Sequence, residues 1–81
     1  MGETDMRRWS FILRNVRSSA LEVVREPEGD HVMLSTNEPL TVYVRGGALA
    51  SDDMEIHLEE PNRVVIWSGA TSHVWFEGLA T

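Results

Sequence analysis

From Met54 to Gly78, apolar and polar residues alternate almost without a break. Met54, Ile56 and Leu58 point one way, and Glu55, His57 and Glu59 point the other. Val64, Ile66, Val74 and Phe76 extend the first side, while Val65, Trp67 and Trp75 give the second side large apolar groups of its own. A period of two is the signature of extended strands. It excludes a helical reading of this third of the chain. With apolar groups on both sides, neither face is left wholly to water.

The rest of the chain reads in the same way. Strand-like runs at 8–16, 20–26, 31–35, 40–45, 54–59, 63–68 and 73–77 are separated by short turn signals. The predicted fold is all-β: a single antiparallel β-sandwich of about seven short strands, ending in a three-stranded meander. Residues 8–78 form the domain, between a flexible N-terminal tail at 1–7 and a C-terminal tail at 79–81. One register orders the meander. Leu58 faces Val64, Ile56 faces Ile66, His57 faces Val65 and Glu59 faces Arg63. On the other side of that strand Ile66 faces Val74, Val65 faces Trp75 and Arg63 faces Glu77. A slip of one residue would turn every side chain to the wrong face. At Pro27-Glu28-Gly29-Asp30, Leu21 and Val23 share a face with Val32 and Leu34 only if a bulge at Gly29 absorbs an extra residue; otherwise Val24 points inward.

An 81-residue chain has room for one core. It contains no cysteine, so disulfides and thiolate metal ligands are excluded and a cytoplasmic location is the default reading. No stretch approaches the ~18 apolar residues of a membrane helix. The net charge of −6 argues against binding nucleic acid through its phosphates. Charge is uneven: residues 1–25 carry five arginines and three acids, and residues 26–81 carry two arginines and ten acids.

Candidate chemistry is sparse. In the predicted register His57 and His73 share a face two strands apart, roughly 12 Å from each other, too far for one metal ion. His31 lies on another hairpin. Ser72 and His73 are adjacent and therefore point to opposite faces, which does not make a nucleophile and base. Asp52 with Glu55, and Asp52-Asp53 as a weak Ca²⁺ ligand pair, are the ordinary acids of a solvated loop. Arg45-Gly46-Gly47 is a single triplet. No catalytic residue, metal or cofactor is expected.

The run Asn15…Leu21-Glu22-Val23…Glu26-Pro27-Glu28-Gly29-Asp30…Leu34, then Leu40-Thr41-Val42, Met54-Glu55-Ile56 and Val64-Val65-Ile66-Trp67…Gly69, resembles a group of small bacterial proteins of about this length. That resemblance implies a β-sandwich and carries no assigned activity or site residue. The chain departs from the group at Thr36–Pro39, where the usual glycine is missing.

The feature left over is an aromatic face of Tyr43, Val65, Trp67 and Trp75, with Arg63 and Glu77 at its rim. Residues of these types anchor interfaces. The expected function is a non-catalytic interaction module that self-associates as a homodimer or binds a protein partner through this face. An acidic inhibitory or mimic protein for a basic partner is the alternative, and a carbohydrate-binding module is the third. Coverage of the face by the N-terminal segment with Trp9 is the purely structural account. Neither a nucleic acid nor a membrane is an expected partner.

Overall fold

The computed structural model describes residues 8–46, 54–69 and 72–77. The expected tails, the Asp52-Asp53 pair and the Asp52 side of the Asp52/Glu55 pair lie outside the described residues. Within them the chain is all-β and has no helix: β1 (Arg8–Arg14), β2 (Leu21–Glu26), β3 (Asp30–Leu34), β4 (Pro39–Gly46), β5 (Met54–Glu59), β6 (Arg63–Ser68) and β7 (Ser72–Phe76). The strands form a three-stranded sheet, β1-β4-β7, and a four-stranded sheet, β3-β2-β6-β5.

One apolar core draws on both sheets. The four-stranded sheet supplies Leu21, Val23, Leu34, Val64 and Ile66, and the three-stranded sheet supplies Leu40, Val42, Val44, Val74 and Phe76. Phe11 and Leu13 pack against it from β1, on the side that the period of two assigns to them. Arg25 follows Leu21 and Val23 inward, and one terminal guanidinium nitrogen donates to the Val74 carbonyl at 2.7 Å. The other holds Asp30. A buried cation thus ties one sheet to the other.

The β5–β6 register is the expected one, from Leu58 opposite Val64 to Glu59 opposite Arg63. The meander does not continue. β7 pairs with β4, so Trp75 lies opposite Tyr43 and Val74 opposite Val44, not opposite Val65 and Ile66. Val74 and Phe76 keep their inward parity and are completely buried, now from the three-stranded side. Arg63 still sits between two carboxylates, but they are Glu59 and Glu22, not Glu77. β2 and β6 run parallel, so the four-stranded sheet is mixed and not purely antiparallel.

Two turns show why their residues are where they are. Gly29 adopts φ 85° and its N–H donates to the Arg25 carbonyl at 2.7 Å. The resulting connection brings Val23 opposite Val32 and Leu21 opposite Leu34, so all four face the core side. In the Thr36–Pro39 turn, which has no glycine, Asn37 takes φ 68°, a conformation that asparagine tolerates better than most residues.

Three strands do not cover four. Ile56 and Leu58 have the same parity as the core, yet they are 45% and 81% exposed because β5 overhangs the smaller sheet. Between β5 and the Leu13–Arg17 stretch lies an open groove of about 350 Å³.

Candidate interaction surface

The two sheets separate the six residues of the expected face. Tyr43, Trp75 and Glu77 belong to the three-stranded side, and Arg63, Val65 and Trp67 to the four-stranded side. A single continuous patch of all six is therefore replaced by two outer faces pointing away from one another.

On the four-stranded side, Val65 is buried although it faces outward. Val24 lies beside it on β2 and His57 beside it on β5, with His31 beyond Val24. The remaining outward positions are mostly acidic. Glu22 contacts His31 and Arg63, Glu55 contacts His57 at 2.7 Å, and Glu26 lies opposite Trp67. Trp67 keeps 41% of its surface exposed, with the His57 ring 6.4 Å away. The pair expected to share a face, His57 and His73, lies on different sheets; His31 shares the face with His57 instead, three strand spacings or roughly 14 Å across. No group of three His, Asp or Glu side chains suited to a metal ion occurs among the described residues.

The three-stranded side has the opposite character. Alternation along β1, β4 and β7 sets outward rows across the sheet: Arg8–Arg45–His73, then Ser10–Tyr43–Trp75. Tyr43 and Trp75 stack at 5.7 Å between ring centroids with planes 20° apart. The Arg45 guanidinium lies 5.9 Å from the Trp75 centroid, within cation–π range. The His73 ring is 5.2 Å from the same indole. Ser10 is small, and beside it Arg8, Trp9, Tyr43 and Trp75 border a shallow depression of about 370 Å³. A second depression of about 200 Å³ is lined by Arg8, Arg45, His73 and Trp75. The chain matches no family model, no curated protein and no solved structure.

The Tyr43 hydroxyl donates to Glu77 at 2.5 Å. That hydrogen bond pushes the phenol pKa up from its ordinary value, and desolvation and the carboxylate charge act in the same direction. Glu77 is thereby engaged at the far end of the aromatic pair. Arg8 and Arg45 have no carboxylate partner among the described residues, whereas Arg25 and Arg63 each have two. Like charges directly opposite on neighbouring strands repel.

The sequence reading named Tyr43, Trp75 and Glu77 for an aromatic face, weighed His73 only as a metal ligand or base and Arg45 only in a glycine triplet, and did not single out Arg8 or Ser10. The signal was parity: Arg8 with Ser10, Tyr43 with Arg45, and His73 with Trp75 lie two apart. It becomes a surface only once β1, β4 and β7 are known to be neighbours.

Proposed function

We propose that this chain is a non-catalytic interaction module, a single β-sandwich whose three-stranded outer face binds an acidic segment of a protein partner. The observation that carries the reading is the juxtaposition of Arg8 and Arg45, uncompensated in a chain with thirteen acids and seven arginines, beside the Tyr43–Trp75 stack. Carboxylates would meet the two guanidiniums, and apolar or aromatic neighbours would lie along the ring pair. Arginine and aromatic residues of this kind dominate binding energy where they are desolvated together. A sugar platform is disfavoured. Rings 5.7 Å apart with nearly parallel planes are offset-stacked on each other, so they do not spread into one flat surface.

A second reading rests on the opposite face, where Glu26 and Glu55 flank Trp67 on either side and Glu22 and Glu59 lie further along beside Arg63, and which would suit a basic partner. Two-dimensional NMR titration separates the readings. An oligoglutamate peptide is expected to shift the Trp75 indole and Tyr43 resonances, and Arg8→Ala/Arg45→Ala to abolish the shifts. Shifts confined to Trp67 and produced by oligolysine would overturn the first reading in favour of the second.

A further inference from the structure

We infer that a second copy of this chain adds to the four-stranded sheet at the free edge of β5, antiparallel and centred on Ile56, joining two sheets into one of eight strands. This surface is separate from the Arg8/Arg45 face. Three observations converge on it.

First, among the described residues β5 is an edge strand with a hydrogen-bonded neighbour, β6, on one side only. Its ladder with β6 runs unbroken from Met54 to Glu59. Within these residues there is no proline, no lysine and no interruption of the register, and the edge carries only Glu55 and Glu59 as charges.

Second, the overhang leaves Ile56 and Leu58 on the core side 45% and 81% exposed. A strand laid along β5 would set a second row of Met54, Ile56 and Leu58 beside the first.

Third, charge selects the register. A two-fold axis perpendicular to a sheet keeps each face on its own side, so only residues of like parity can lie opposite one another. With Ile56 on the axis, Met54 faces the second copy's Leu58 and Glu55 faces its His57, and both pairings occur twice. With His57 on the axis, Glu55 would face Glu59 twice and His57 would face itself. With Glu55 on the axis, two carboxylates would meet. With Leu58 on the axis only residues 57–59 would overlap, so of the two registers that overlap five residues of β5, the Ile56 register alone is free of like charges directly opposite within residues 54–59, and such charges destabilise a pair of strands. Glu55 and His57 already touch at 2.7 Å within the strand, so carboxylate and imidazole reach one another on this face.

The chain has no cysteine, which makes a cross-linking test clean. Under mild oxidation Ile56→Cys is expected to give a disulfide-linked dimer. Glu59→Cys is expected not to, since in this register two copies of residue 59 stand six residues out of step, roughly 20 Å apart. Light scattering supplies the second measurement. His57→Glu sets Glu against Glu twice and should raise the dimer dissociation constant roughly tenfold or more. Glu55→Lys combined with His57→Glu should restore it. Arg8→Ala/Arg45→Ala should leave it unchanged, which separates this proposal from the binding face above. A monomeric mass at the highest soluble concentration, or equal cross-linking at residues 56 and 59, would overturn the inference.

Discussion

Asn15 gives the sharpest test of how the loops hold this fold together. Its side chain is 1% exposed and carries three hydrogen bonds. Nδ2 donates to the Ser19 carbonyl at 2.9 Å and to the Leu34 carbonyl at 3.0 Å, while Oδ1 accepts from the Arg17 N–H at 2.9 Å. Its backbone also donates to the Glu38 carbonyl and accepts from the Asn37 N–H. One residue therefore joins the β1–β2 connection to the end of β3 and to the β3–β4 turn. Asn15→Ala removes all three side-chain bonds. At about 1 kcal/mol each, with an added penalty for the buried Leu34 carbonyl, the loss should be about 3 to 4 kcal/mol. Asn15→Asp keeps the shape and the Arg17 bond but turns a donor into an oxygen facing two carbonyls. It should cost at least as much, because a charge is then buried against two carbonyl oxygens with only the Arg17 N–H to offset it. For 81 residues the whole stability is of the order of 4–12 kcal/mol, so either change is a large fraction of it. Urea unfolding followed by tryptophan fluorescence measures the effect. With m of about 1 kcal/mol per molar, the midpoint should fall by about 3 M, or the variant should be unfolded without denaturant. A loss below about 1 kcal/mol for Asn15→Ala, or an Asp variant as stable as the parent, would refute the argument.

The remaining predictions concern the core, the buried cation and the phenol. Ile66→Ala should cost about 2–5 kcal/mol and Leu58→Ala less than about 0.5 kcal/mol in urea unfolding of dilute protein, although the two side chains share a parity, because Ile66 is fully covered and Leu58 is not. Asp30→Ala should lower the thermal midpoint more than Arg25→Met: the first leaves a buried guanidinium without its closest carboxylate, and the second removes the charge itself. Equal losses would count against the pairing argument. In an absorbance titration the Tyr43 phenol should ionise above its ordinary value near 10, and Glu77→Gln should bring the midpoint back down. Since the folded-state pKa is raised, this contribution to stability is complete below the unfolded-state pKa and is lost as pH rises through the folded-state value. A midpoint unmoved by Glu77→Gln would remove Glu77 as the cause.

Much of the fold could be read directly. The strands begin and end within a few residues of their expected positions, because alternation and turn residues are local signals. The β5–β6 register was legible because the turn at Glu60–Asn62 is short and both strands repeat their pattern without error. The third pairing was not. Inward residues of a two-layer fold look alike from either layer, so Val74 and Phe76 satisfy the same parity whether β7 joins β6 or crosses to β4. The expected aromatic face failed for that reason: parity alone does not say which sheet a strand belongs to.

Alternation over short runs determined that this chain is all-β, and that Ile66, Val74 and Phe76 share one parity while Trp67 and Trp75 share the other; which of the two faces the core was left to the structure. It determined nothing about which outward residues would be neighbours. Tertiary structure alone decided that Trp75 stands beside Tyr43 and Arg45, that Trp67 stands among carboxylates on the opposite side, and that Leu58 overhangs a sheet one strand too narrow to cover it. The physical reason is range. Side-chain alternation is a property of the local backbone, whereas the partner of a strand is chosen by how the whole core closes, between residues far apart in the chain.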